Sequence, residues 1–295
     1  MRVLILGSGG MLGHKLYQTL RERFEVFAAF RAASLYQGLG LFDREHVVDG
    51  VDASNFDAII GAMARVRPDA VVNCIGIIKQ LAEANDPVRS LSINSLLPHR
   101  LAALCHAAGS RLIHISTDCV FSGRKGMYSE GDVSDAEDLY GRTKFLGEVA
   151  APAGLTLRTS IIGRELYSTS GLVEWFLANR GKRVRGFTRA IYSGFTTIEL
   201  SRLIARVISD FTDLRGMYHV SSEPISKYDL LLLAADAFDA GIEIDPDTSV
   251  NIDRSLNSDR FRLLTQFRPQ TWPEMIGEMA ADPTPYEQWR VARAS

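Results

Sequence analysis

Residues 7–13 read Gly7-Ser8-Gly9-Gly10-Met11-Leu12-Gly13, placed directly between an apolar run and a helical pattern. Val3–Leu6 is short and continuously apolar, as in a strand buried on both faces. Met11–Phe24 sets Leu12, Leu16 and Leu20 on one helical face. Strand, glycine turn and helix in that order make a phosphate cradle. Gly7 permits the tight turn, Gly10 lets backbone approach a pyrophosphate, and Gly13 lets the helix pack closely on the sheet. Met11 and Leu12 open the helix, whose N-terminus offers free N–H groups and partial positive charge. The spacing is GxxGxxG, a variant of the GxGxxG form, and it predicts dinucleotide binding. The alternative for such a loop is a purely structural turn.

Outward from this loop, strands and helices alternate. Glu25–Phe30, Ala70–Cys74, Arg111–Ser116 and a segment beginning at Thr156 read as strands. Asn55–Val66, Asn94–Ala108 and Leu139–Ala150 read as helices, the first stopped by Pro68 and the second by Gly109. Such alternation implies βαβ units, so the fold class predicted is α/β, a doubly wound parallel (Rossmann) sheet. After Gly163 the rhythm changes. Leu172–Asn179, Thr197–Phe211 and Tyr228–Phe238 read as helices, Met217–Val220 as a strand, and the polar stretch Asp245–Asp259 as a loop. The predicted organisation is a dinucleotide-binding domain over 1–160, joined by 190–220, with a smaller interwoven C-terminal substrate-binding lobe drawn mostly from 161–295.

Composition narrows the function classes. The 295 residues are 46% apolar and 23% charged, ordinary globular usage, and the formal net charge of −2 favours neither nucleic acid nor an anionic membrane. No stretch approaches the ~20 apolar residues of a membrane span. VLILG is too short for a signal-peptide core. Cys74, Cys105 and Cys119 are scattered, with no metal-ligand spacing, so no metal site is expected and reduced thiols in a cytoplasm are.

The end of the second strand bears on cofactor choice. An acid there, about 20 residues past the glycines, holds the ribose of NAD. This chain has Ala29-Phe30-Arg31 instead. The forked donors of Arg31 suit a 2′-phosphate, which favours NADPH over NADH; the alternative is a solvated surface arginine. Asp52 follows where a carboxylate reaches an adenine amino group, or else caps a helix.

Tyr140-Gly141-Arg142-Thr143-Lys144 places a phenol and an ammonium on one helix face. A nearby cation stabilises phenolate against its ordinary pKa of about 10. Upstream, His114-Ile115-Ser116-Thr117-Asp118-Cys119 closes an apolar run. Ligands of open α/β sheets bind beyond the carboxyl ends of strands, so Ser116, Thr117 and Asp118 fall where chemistry is expected. Capping of a turn is the alternative for Asp118.

Taken together, His114–Gly123 and Asp138–Glu148 resemble the extended short-chain dehydrogenases, and within them the dTDP-4-dehydrorhamnose reductase family, whose equivalents read roughly STDYVFDG and YGRTKLAGE. The glycine loop, Val72–Gly76, Ser92–Asn94, Leu157–Ser160 and Gly216–Val220 fall in family order, so the resemblance spans about residues 1–220. It implies reduction of a keto group on a nucleotide-linked (dTDP- or UDP-) 4-keto-6-deoxysugar, for surface polysaccharide synthesis. Thr117, Tyr140 and Lys144 would be the catalytic set, with Tyr140 giving the proton, Thr117 holding the carbonyl oxygen, and Lys144 holding the nicotinamide ribose. Asn73, Cys74, Ile75, Gly76, Asn94, Arg158 and Thr159 would face the cofactor; for Asn94 the alternative is a buried residue bonded to backbone. Asp118, Trp175, Arg185, Arg254 and Asn257 would face the nucleotide-sugar. A homodimer fits the resemblance. Cys119 departs from the family tyrosine, and the acids of a family magnesium site have no match. A nucleotide-sugar epimerase and a non-catalytic NADP-binding regulatory subunit are the competing readings.

Overall fold

The computed structural model describes residues 1–80, 82–150, 154–167 and 169–294. β1 (Arg2–Leu6) is buried on both faces: Val3 and Ile5 enter one helix-covered core, Leu4 and Leu6 the other. To one side lie β2 (Glu25–Ala29) and β3 (Val47–Val48). To the other lie β4 (Ala70–Asn73), β5 (Arg111–Thr117) and β6 (Gly154–Thr159). The chain then leaves the sheet through β7 (Ile161–Ile162), β8 (Arg183–Tyr192) and β9 (Phe195–Thr196), and returns as β10 (Gly216–His219) beside β6. Among the described residues the large sheet runs β10-β6-β5-β4-β1-β2-β3, every pairing parallel. Strand order reverses between β1 and β4, and a crevice opens at that switch point.

On the Val3/Ile5 face, α1 (Met11–Leu20) contributes Leu12, Leu16 and Leu20. The opposite face is covered by α2 (Phe56–Val66) and, after the short α3 (Pro87–Ser90), by α4 (Leu97–Ala107). Next come α5 (Leu139–Leu146), α6 (Leu172–Leu177) and α7 (Thr197–Ser209); α7 packs Leu200, Leu203 and Val207 into the α1 face.

The smaller lobe adds β11 (Ile225–Ser226), α8 (Lys227–Ala237), β12 (Glu243–Asp253), α9 (Asp259–Thr265), α10 (Trp272–Ala280) and α11 (Tyr286–Ala294). β8 is the centre of a sheet with order β11-β8-β12. Among the described residues, no helix is long and apolar enough to cross a membrane.

Several boundaries differ from the sequence expectation, four of them instructively. The polar stretch at 245–259 is not all loop: its first part belongs to β12. That strand is an edge without fully buried positions, and an edge tolerates Pro246 because one side of its ladder is open. α1 stops at Leu20, where the Phe24 N–H turns back to the Leu20 carbonyl at 2.9 Å. The helix expected from Asn94 is preceded by a π-helical turn over Leu91–Leu96. α5 ends at Leu146 because Gly147 passes against the Asn94 carbonyl; a Cβ there would sit 1.9 Å from that oxygen.

Candidate active site

A cleft of about 1190 Å³ opens at the carboxyl ends of β1, β4 and β5. Gly7, Gly10, Met11, Leu12 and Gly13 form its floor. Gly7 has φ of +85°, a left-handed conformation that glycine adopts freely. A Cβ on Gly13 would lie 2.2 Å from the Gly7 carbonyl oxygen, so only glycine lets α1 start this close to the loop. Gly10 caps α1 with no side-chain acceptor, leaving the first-turn N–H groups to face the cleft. A cradle that a Cβ would fill, lined by uncapped donors, fits a pyrophosphate. Cys74, Ile75, Gly76 and Thr159 add to the wall.

Arg31 lies exposed on the rim beyond β2, with Asp52 across from it. Bonds from the Ser54 N–H (2.8 Å) and hydroxyl (2.7 Å) hold the Asp52 carboxyl below its usual range, with Arg31 adding to the effect. Tyr36 was missed from the sequence. Its ring lies against Gly9, where a Cβ would come within 2.3 Å of it, and it stacks between Phe30 (4.9 Å) and Tyr167 (5.7 Å). Its sequence signal is no more than an aromatic in the irregular stretch after the second strand.

The opposite wall carries Thr117, Tyr140 and Lys144. Thr117 ends β5, and α5 brings Tyr140 and Lys144 to it. The approach depends on Gly141, where a Cβ would stand 2.2 Å from the Cys119 carbonyl oxygen. Asp138 caps α5 by accepting from the Gly141 N–H at 2.8 Å. The Thr117 hydroxyl donates to the Asp118 carboxylate and accepts from the Cys119 N–H, each at 3.1 Å, and the Tyr140 side chain lines the same wall.

Burial pushes the Tyr140 pKa above its ordinary value, Cys119 adds to this, and the neighbouring Thr117 hydroxyl opposes it. In the free protein desolvation dominates, against the lowering that the sequence leads one to expect of a neighbouring cation. The phenol stays protonated at neutral pH, as a proton donor requires. Lys144 is also buried, and burial brings its pKa down to about 8 against the opposing pull of Glu148. Its ammonium donates to the Ile115 carbonyl at 2.8 Å. Asp118 is raised by burial, with Arg254 opposing.

Lys79 is a second residue that the sequence reading missed. It lines the cleft, donates to Asp138 at 2.7 Å, and lies 5.7 Å from the centre of the Tyr140 ring. A lone lysine in a loop carries no motif, so no sequence signal marked it.

Several expected residues are not brought to the cleft. Asn73 is fully buried, its amide 3.1 Å from the His114 ring and 3.1 Å from the Ile75 N–H. Asn94 is buried too, and ties the Ile77 N–H (2.8 Å) and carbonyl (3.0 Å) to Thr143 of α5. It supports the wall from behind. Arg158 points away, paired with Glu148 at 2.5 Å and bonded to His219 at 3.2 Å. In the smaller lobe, Trp175 is exposed outside the cleft and Arg185 pairs with Asp247 on the surface. Asn257 folds back onto Asp259. Arg254 does reach the wall, held by the Phe121 carbonyl at 2.8 Å with Cys119 Sγ 3.9 Å away.

Comparison with known proteins agrees with this geometry. Residues 1–282 match the model of the RmlD substrate binding domain family. The probable low-salt glycan biosynthesis reductase Agl14 of Haloferax volcanii is 30% identical over 240 residues, covering 76% of this chain and 75% of that protein. The methionine adenosyltransferase 2 subunit beta of Danio rerio is 27% identical, covering 80% of this chain and 74% of its own. The crystal structure of a hypothetical dTDP-4-dehydrorhamnose reductase from Sulfolobus tokodaii superposes with a TM-score of 0.76 at 26% identity, covering 92% and 98% of the two chains. A glycine cradle and a Thr–Tyr–Lys wall in one crevice, on a sheet of this order and with these likenesses, place the chain in the RmlD-like family of extended short-chain dehydrogenases/reductases.

Proposed function

We propose that the chain reduces the keto group of a nucleotide-activated 4-keto-6-deoxysugar with NADPH, within surface-polysaccharide sugar synthesis. The observation that carries this reading is the meeting of Thr117, Tyr140 and Lys144 in the same cleft as the glycine cradle. When bound, the reduced nicotinamide supplies a hydride. Tyr140, kept neutral by burial, gives its proton to the carbonyl oxygen as that oxygen gains charge. Thr117 donates to the same oxygen and stabilises the charge. Lys144 places a positive charge behind the phenol and favours its ionised form after transfer. Asp118 and Arg254 line the wall beside this set, and in this reading they meet the sugar and its diphosphate. Arg31, with no acid at the end of β2, supports NADPH over NADH.

The likeness to the methionine adenosyltransferase subunit favours a second reading, a non-catalytic binding subunit. The intact Tyr140–Lys144 pair speaks for catalysis, since binding alone does not require it. A panel of dTDP- and UDP-linked 4-keto-6-deoxysugars with NADPH, followed at the nicotinamide absorbance, decides between them. Oxidation with one of the sugars supports the reductase. No oxidation with any, together with tight binding to another protein, rejects it.

The free thiols of Cys74, Cys105 and Cys119 support a cytoplasmic location. Exposed Leu91, Leu96, Phe145 and Leu146, on α5 and the segment packed against it, support a homodimer, which light scattering would reveal as twice the chain mass.

A further inference from the structure

α1 carries two polar residues that are out of place on a core-facing helix. His14 is fully buried and Lys15 nearly so. Both are met by the C-terminal segment. The His14 ring lies 2.8 Å from the Gly10 carbonyl through Nδ1 and 2.9 Å from the Tyr286 hydroxyl through Nε2. Lys15 donates to Asp282 at 2.6 Å and to Thr284 at 3.3 Å, and both ends of the ion pair are shielded from solvent.

The polarity of this chain is fixed by chemistry. Burial lowers the His14 pKa to about 4, so the ring is neutral and carries one N–H. The Gly10 carbonyl has no hydrogen, so Nδ1 donates to it and Nε2 accepts from Tyr286. The single hydroxyl hydrogen of Tyr286 also has Asp282 within 3.2 Å, and the shorter contact is to His14.

Gly10 is the N-cap of α1, and its carbonyl also accepts the His14 backbone N–H at 3.2 Å. A peptide unit is planar and trans, so its C=O and N–H point in opposite directions. Holding the Gly10 carbonyl along the helix turns the Met11 N–H toward the cleft floor, where an anion would lie.

The same segment grips the other wall. Arg290 donates to Glu174 at 2.5 Å and also bonds the Glu165 carbonyl, while Arg164 bridges Glu174 (2.7 Å) and Glu287. Glu165 lines the cleft and accepts from the Gly171 N–H at 2.8 Å; Gly171 in turn packs against Met11. The family match ends at residue 282, so Tyr286, Glu287 and Arg290 lie outside it.

We propose that the C-terminal segment is part of the cofactor site: Tyr286, acting through His14, is a positioning residue that orients the Gly10–Met11 peptide toward a dinucleotide pyrophosphate, and Arg290 braces the facing wall. The proposal rests on the reading that the cleft takes NADPH. Without the Tyr286 hydroxyl, His14 Nε2 is left buried and unpaired, the ring can turn, and the peptide plane loses its anchor. Binding and anchoring are reciprocal, so a bound dinucleotide tightens the segment in return.

Tyr286→Phe removes one oxygen and keeps the ring. NADPH affinity is read by fluorescence titration, dTDP affinity by calorimetry, and folding by circular dichroism. The expected result is a folded variant with NADPH affinity weakened about tenfold and dTDP affinity unchanged. Unchanged NADPH affinity, or equal loss for both ligands, overturns the proposal. Hydrogen exchange on the unaltered protein decides the matter if the variant does not fold. NADPH should then slow exchange in residues 282–290 as well as 10–14, and protection confined to 10–14 overturns the proposal. An unaltered protein that binds no NADPH would instead overturn the functional reading, and this proposal with it.

Discussion

Lys144 Nζ donates a 2.8 Å hydrogen bond to the carbonyl of Ile115, two residues before Thr117. The helix that carries Tyr140 is thereby fastened to the strand that carries its partner. Burial sets the crossover between the charged and neutral forms of this amine near pH 8. Reductive kcat/KM should therefore hold level below about pH 8 and fall by about tenfold per unit above it. Initial rates across pH 6–10 check this. A profile flat to pH 10 would show that Lys144 does not set the rate.

Tyr140→Phe keeps the ring and removes the transferable proton. Turnover should drop by about 10²–10⁴-fold. NADPH affinity, by fluorescence titration, should stay within about twofold, because the cradle is built from backbone.

Two glycine substitutions should separate the halves of the site. In Gly13→Ala the new Cβ meets the Gly7 carbonyl at 2.2 Å, and in Gly141→Ala it meets the Cys119 carbonyl at 2.2 Å. Neither obstacle is a side-chain end that can swing aside. Gly13→Ala should lose NADPH binding. Gly141→Ala should bind NADPH but turn over about a hundredfold more slowly, because α5 is displaced from Thr117. Titration and steady-state kinetics on both variants check the contrast.

Acid should destabilise the fold through two buried imidazoles. Burial lowers His14 from 6.5 to about 4 and His114 well below its ordinary value. Between about pH 6.5 and 4 the unfolded chain binds protons that the folded chain refuses, so stability falls as pH falls through that window. His14 alone should account for about 3 kcal/mol. Urea denaturation from pH 7.5 down to 4.5 reads the slope, and His14→Gln should flatten it.

Arg31→Ala tests cofactor choice. Loss of the forked donors should weaken NADPH by about tenfold or more and leave NADH nearly unchanged. Equal weakening of both would place Arg31 outside contact with the 2′-phosphate.

The large sheet was legible because its strands are buried on both faces and the glycine loop lies between a strand and a helix with no intervening residues. Thr117, Tyr140 and Lys144 were legible because one strand end and one helix turn carry them. β12 was not, because an exposed edge strand has no apolar alternation to read and Pro246 argues against it. Asn73 and Arg158 were assigned to the cleft from their place in a motif, yet each side chain turns inward to a polar partner, His114 or Glu148. Such partners come from distant elements and leave no local pattern. Tyr286 meets His14 from 272 positions away for the same reason.

Hydride transfer to a sugar carbonyl is the central claim, and isotope transfer tests it most directly. With NADPH deuterated at the transferable position of the nicotinamide and a 4-keto-6-deoxysugar nucleotide as substrate, mass spectrometry and proton NMR follow the label. One deuterium at C4 of the product for each NADPH oxidised is the result expected of this site. Interconversion of sugars without net NADPH oxidation, or a product free of deuterium, would contradict it.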